Sequence, residues 1–242
     1  MTAPGFDDLV ERSADPVRVR GALARLLEVD GALLARAEAW PDHGAALVAV
    51  LAASGSLARL LGSDPEALDR LDPRAPREPV PTADFDAVVA WKRRELLRIA
   101  GRDLTGARSL DGVLADLTAL ADDVLGAAHR WSSDLLEGDD RLAVIAMGKL
   151  GAAELNYASD VDVVLVGEGD PARVDRAARR MLELAGRAVR MDVDLRPEGR
   201  DGPLVRTVAS YVAYWERWAA PWERQALVTA RAAAGDLPLG AT

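Results

Sequence analysis

From about residue 16 to residue 70, apolar positions recur at helical spacing, for example Val17, Ala22, Leu23, Leu26 and Leu27, then Leu33, Leu34 and Ala37. The pattern predicts short helices in a bundle. It breaks at DPRAPREPVP, residues 72–81, where four prolines each remove a backbone donor and bias the preceding residue away from helix. That segment reads as a linker. Phe85, Val88, Val89, Leu96, Leu97 and Ala100 then predict a long helix starting near Asp84, with Arg94, Arg98 and Arg102 at four-residue steps on another face. A basic stripe of this kind can face a phosphate, but its ordinary reading is a solvated surface. Ser109 reads as the N-cap of the next helix, carried by Leu110, Val113, Leu114, Leu117, Leu120, Val124, Leu125 and Ala128.

The period changes at LEGDDRLAVIAMG. A Gly-Asp-Asp turn leads into an aliphatic run, Leu142 to Met147, of strand length and stopped by Gly148. A second strand is predicted at 160–166, a helix at about 171–186, and a third alternating run in AVRMDVDLRP, closed by Pro197. From Thr207 on, the chain reads as helical and carries Trp215, Trp218 and Trp222. The fold class is therefore α+β: a helical region at 1–71, the linker at 72–81, and a domain at 82–242. Within that domain the reading gives a helical lead-in (82–136), an α/β core (139–206) and C-terminal helices (207–234).

Asp160 and Asp162 interrupt the second strand. Alternate strand residues point the same way, so both carboxylates project together while Val161, Val163 and Leu165 face the core. Two ionised groups beside an apolar strand are costly unless paired or bound to a cation. The bland alternative is a turn residue preceding a wet strand edge. Gly148 opens GKLG, a turn whose bare amides can approach an anion, and Asp192 or Asp194 on the third run offers another carboxylate. Carboxylates, magnesium and a glycine turn suit in-line displacement at phosphorus, which needs neither a histidine base nor a cysteine nucleophile. GKLG is not a Walker loop, because no Gly-Lys-Ser/Thr closes it, and GxGxxG is absent.

Composition narrows the choices. The chain has 242 residues, 50% hydrophobic and 29% charged, and a net charge of −9, which argues against bulk attraction to nucleic acid or an anionic membrane. Cysteine is absent and the two histidines, His43 and His129, stand apart, so thiolate zinc sites and disulfides are excluded. No run approaches the roughly 18 apolar residues of a membrane span and the N-terminus is acidic, so a cytoplasmic location is expected. Among 30 basic residues only Lys92 and Lys149 are lysines. A lysine between two glycines, as Lys149 is, suits a compact point charge.

VIAMGKLGAAELNYASDVDVVLV resembles the nucleotidyltransferase signature of the bacterial glutamine synthetase adenylyltransferase family. DLRPEGRDGPLVRT and WERQALVTARAAAGD are similar to that family's next blocks, and ASGSLARLL with WKRRELLRIAGRDL resembles its helical N-terminal part. The resemblance implies a polymerase-β-like nucleotidyltransferase core in 82–242, with an N-terminal helical annex and C-terminal helices. It implies Mg2+ held by Asp160, Asp162 and Asp192, with Asp194 the runner-up for the third place. It also implies phosphate or nucleotide contacts from Gly148, Lys149, Gly151, Asn156, Ser159, Arg196 and Arg200, and a basic position at Arg231. Family members are several times longer and have two catalytic halves; Glu-Leu-Asn-Tyr before Ser-Asp resembles the N-terminal, adenylyl-removing half. The implied partners are glutamine synthetase as protein substrate, ATP/ADP and inorganic phosphate, and a PII-type signal protein through regions outside this chain, with no nucleic acid or membrane. The implied reaction is phosphorolytic removal of AMP from adenylyl-tyrosine. Forward transfer of AMP from ATP and a non-catalytic binding module are the alternatives. Ala152 and Ala153 stand where relatives usually carry a second glycine.

Overall fold

In the computed structural model residues 5–38 and 41–242 are described, so residues 1–4, 39 and 40 of the predicted helical region lie outside the described residues. The chain divides into two compact units, residues 1–79 with 90–113 and residues 80–89 with 114–242. The first is all helical: α1 (Phe6–Glu11), α2 (Pro16–Val29), α3 (Leu33–Glu38), α4 (Pro41–Ala53), α5 (Gly55–Ser63), a 3-10 turn at Pro65–Leu71 and most of α6 (Phe85–Leu104). Asp15 and Ser54 accept the amides of Arg18 and Leu57 and so start α2 and α5. Leu23, Leu26, Leu47, Leu51, Leu61 and Leu68 share one core with Leu97 and Ala100 of α6.

The structure therefore divides the lead-in differently from the sequence reading: α6, capped by Asp84, buries its apolar face mainly among the N-terminal helices. The basic stripe is not a solvated face. Arg94 forks onto Asp64 at 2.6 and 2.9 Å, Arg98 is 4% exposed against Glu95, and Arg102 donates to the Ala75 carbonyl. The proline-rich segment is pinned rather than loose. Proline removes donors but leaves carbonyls, and those of Ala75, Pro76 and Glu78 accept from Arg102, Arg70 and Trp91. Glu95, fully buried, accepts from Arg70 at 2.9 Å, Arg98 at 2.7 Å and the Glu78 amide at 3.2 Å.

The second unit holds most of α7 (Leu110–Arg130, entered through Ser109) and then β1 (Arg141–Ala146), α8 (Gly148–Gly151), β2 (Val161–Glu168), α9 (Pro171–Gly186), β3 (Met191–Asp192), β4 (Val205–Arg206), α10 (Val208–Arg217), α11 (Pro221–Ala226), β5 (Arg231–Gly235) and α12 (Leu237–Gly240). The sheet runs β3-β2-β1-β5, with β4 also paired to β2. β1 is antiparallel to β2 and β5, whereas β2 is parallel to β3 and β4. Ala143, Ile145, Val164 and Val166 make one face of the sheet and pack with Met147, Tyr211 and Leu239.

Two expectations fail here. RAAAG inside the predicted C-terminal helices is a strand, because β1 offers it an unpaired edge and its alanines fit a buried sheet. AVRMDVDLRP pairs over two residues only; Val193 onward turns away, with the Asp194 amide donating to Asp192 Oδ1 at 2.7 Å.

Asp140 closes the turn before β1. Its carboxylate accepts from Arg173 at the start of α9 and from the amides of Asp170 and Glu137. Those bonds, the Arg173 one foremost, hold its carboxyl well below the usual range. The depressed value means that Asp140 adds stability above the ordinary carboxylate range, and that this contribution disappears as pH falls through the folded value. The stability gap between the wild type and Asp140→Asn, measured by urea denaturation, is expected to be widest near neutrality and to narrow toward about pH 2. In the same assay Glu95→Ala, which strands two buried guanidinium groups, should cost about 3–5 kcal/mol.

Candidate active site

Parallel pairing of β2 with β3 sets Asp162 opposite Asp192 and Val161 opposite Met191. Neighbouring strands lie about 4.8 Å apart, so the two carboxylates emerge side by side on one face. Burial first, and the Asp192 charge second, push the Asp162 carboxyl above its usual range; the Lys149 ammonium opposes both. Asp162 heads the row that continues into buried Val164 and Val166. A charged group at the end of an apolar row is costly to hold without a counter-charge.

The glycine turn sits against this pair. Gly148 has φ +52°, and a Cβ there would lie 2.6 Å from Asp162 Oδ2. Gly151 meets the Thr229 and Ala146 carbonyls, which a Cβ would approach to 2.2 and 2.9 Å. Both glycines are thus demanded by close approach. GKLG is a single helical turn in which the Gly151 and Ala152 amides donate to the Met147 and Gly148 carbonyls and are spent. Lys149 is exposed at its rim.

Other predicted residues have different company. Asp160 is ion-paired with Arg190, which also reaches the Ala158 carbonyl. Asn156 and Ser159 build the turn into β2: the Ser159 hydroxyl and the Ala158 amide both donate to Asn156 Oδ1, at 2.9 and 3.0 Å. Asp194 lies outside the strand, bonded to Arg200 at 2.7 Å with Arg196 at 3.6 Å. Arg196 also donates to the Val193 carbonyl, and with Arg200 it lines a cavity of about 780 Å3 walled by α9 residues such as Arg179 and Leu182; Asp162 and Asp192 do not line it. Arg231 is structural, held by Asp122 at 2.9 Å and the Leu150 carbonyl at 3.0 Å. It ties the glycine turn to α7 and β5.

The expected trio is therefore a pair. Among the described residues no three acidic or histidine side chains are grouped to hold a metal ion, because Asp160 is turned to Arg190. The pair still fits magnesium, which commonly takes one or two carboxylates and completes its shell with water and phosphate oxygens. Arg190 and Asp122 escaped the sequence reading. Arg190 lies next to β3 and is visible only once the β2–β3 register is known; no local signal marks Asp122, whose partner is distant in sequence.

Carboxylates in register on adjacent strands, backed by a tight glycine turn, define an α+β acid-pair site. Residues 80–242 match the family profile described as Glutamate-ammonia ligase adenylyltransferase, and the chain belongs to that family. It is 40% identical over 268 residues to the bifunctional glutamine synthetase adenylyltransferase/adenylyl-removing enzyme of Mycobacterium avium (strain 104), covering 96% of this chain and 26% of the relative. The same-named protein of Streptomyces avermitilis is 39% identical over 94% of this chain and 26% of its own length. That of Mycobacterium tuberculosis H37Rv is 43% identical over 75% of this chain and 20% of its own length. This chain thus spans about a quarter of the first two relatives.

Adding millimolar Mg2+ is expected to raise the melting temperature of the wild type and to leave Asp162→Asn unmoved, as followed by circular dichroism. An equal shift in both proteins would place the ion elsewhere.

Proposed function

We propose that this chain is a nucleotidyltransferase with a polymerase-β-like core that removes AMP from adenylyl-tyrosine on glutamine synthetase by phosphorolysis, in a magnesium-dependent reaction. The observation that carries the reading is the Asp162–Asp192 pair beside Gly148, in a chain of this family. The Glu154–Tyr157 segment ahead of Ser159 and Asp160, with its resemblance to the adenylyl-removing half, favours this direction. The relatives' name covers both directions, so transfer of AMP from ATP to the same tyrosine is the second reading.

In phosphorolysis an oxygen of inorganic phosphate attacks the adenylyl phosphorus. The bond from phosphorus to the tyrosine oxygen breaks, ADP leaves, and the phenolate takes up a proton. Magnesium, when bound, neutralises the phosphate oxygens and lines up the attacking and leaving groups. Asp162 and Asp192 would hold it, with Asp160 available as a third donor on release from Arg190. Lys149 supplies a mobile cation at the rim for a phosphate oxygen. Asn156 and Ser159 fix the turn that presents Asp160, and Gly148 leaves the Asp162 carboxylate room. Arg196 and Arg200, held by Asp194 across the turn that follows β3, would have to leave it to meet the nucleotide or the incoming phosphate. A PII-type protein would act through parts of the longer relatives that this chain does not span, and the cytoplasm is the expected setting.

The test offers the purified chain adenylylated glutamine synthetase with Mg2+ and phosphate, and in parallel unmodified enzyme with ATP. ADP release that falls on the order of 10²-fold or more in Asp162→Asn and Asp192→Asn is the expected outcome. AMP incorporation in the second arm supports the second reading, and binding without either product reduces the chain to a docking module.

A further inference from the structure

The site described above uses one of the two lysines, Lys149. The other, Lys92, stands in the first unit, on α6, where it lines a cleft of about 400 Å3 between α5 and α6. Arg59 of α5 and Arg93 of α6 line the same cleft, together with the hydroxyl-bearing Ser56 and Ser63. Positions 56, 59, 60 and 63 recur at the helical repeat, so α5 turns one continuous face to the cleft. Lys92 and Arg93 do the same from α6, with Leu96 one turn on.

Three cationic side chains thus line one cleft in a protein whose net charge is −9. Among the described residues none of the three has a carboxylate partner; the nearby Asp64 is taken up by the fork of Arg94. Like charges gathered without counter-ions repel one another, and an arrangement of that kind is stabilised by an anion. Burial, and the Arg93 charge after it, push the Lys92 ammonium below its usual range, so its environment lacks the negative charge it would prefer. Guanidinium forks match the paired oxygens of a phosphoryl group, a lysine supplies a point charge, and the serines supply further donors. The volume falls in the range of small-molecule clefts, and Leu57, Leu60 and Leu96 give it an apolar wall.

We infer that the α5–α6 cleft is a binding site for a phosphorylated small molecule, with its phosphoryl oxygens on Arg59, Lys92 and Arg93 and its organic part on Leu57, Leu60 and Leu96. The site is built wholly within the helical unit and stands independently of the reaction proposed for the second. Free polyphosphate and a nucleotide share the recognised chemistry.

The experiment is calorimetric titration of the full chain with pyrophosphate, tripolyphosphate and ATP in the absence of divalent cations. It is run on the wild type, on Lys149→Gln/Asp162→Asn, on Lys92→Gln and on Arg59→Gln/Arg93→Gln. One phosphoryl-binding site is expected to persist in Lys149→Gln/Asp162→Asn, and its Kd to rise at least about tenfold in the two cleft variants. ATP binding more tightly than tripolyphosphate supports the site with a nucleotide as occupant, and equal affinity supports it with polyphosphate. Arg59 and Arg93 are exposed, so their double variant keeps the fold, checked by circular dichroism, and reads out the site even if Lys92→Gln unfolds. Kd values within twofold of the wild type in Arg59→Gln/Arg93→Gln, loss of all binding in Lys149→Gln/Asp162→Asn, or no binding of any of the three anions would overturn the inference.

Discussion

Backbone pairing between β2 and β3 forces two like charges together. The register sets Asp162 beside Asp192 on one side and beside Met147, whose amide donates to the Asp162 carbonyl, on the other, so the only acidic group paired with it across the described strands is Asp192. Hydrogen bonds of the ladder, together with burial of Val161, Val163 and Leu165, hold the arrangement against the electrostatic cost. Unfavourable local energy supported by surrounding structure is common at functional sites, since the strain is relieved when the missing counter-charge arrives. The glycine turn is shaped by this pair and by the backbone around it. Gly148 must lack a side chain because Asp162 occupies its space, and Gly151 must lack one because the Thr229 carbonyl does.

The two units handle ionic groups in different ways. In the helical unit the central carboxylate, Glu95, is enclosed by two arginines and a backbone amide, so every oxygen is satisfied and nothing is left to bind. In the second unit the Asp162–Asp192 pair meets the charge of exposed Lys149 at Asp162, and the Asp194 amide and the Arg200 charge at Asp192, without the enclosing arginine bonds that Glu95 has. A closed ionic network specifies a structure, whereas an open one specifies a ligand.

Much of this was legible in the sequence because the periods are clean. The aliphatic run at β1 and the Asp-x-Asp that leads into β2 are local signals, and α9 lies between Pro171 and Gly186 as the sequence predicts. What stayed hidden depends on partners far along the chain. RAAAG has no polar alternation to mark a strand, and only the free edge of β1 makes it one. The short β3 reads longer than it is because Asp194 keeps the alternation going after the backbone has turned toward Arg200. The arginine stripe of α6 looked wet because spacing alone cannot reveal that Asp64, Glu95 and the Ala75 carbonyl await it. Strand parity suggests Asp160, just before β2 begins, as a partner for Asp162, whereas its engagement with Arg190 emerges only from the fold.

Arg231 links segments far apart along the second unit. Its guanidinium spans Asp122 on α7 and the Leu150 carbonyl within the glycine turn, and its own backbone pairs with Ala146. Anyone trimming this protein to a smaller catalytic piece must therefore retain both α7 and β5. A version cut between α11 and β5 would keep every acidic residue of the site and still lose the brace that fixes the turn beside them.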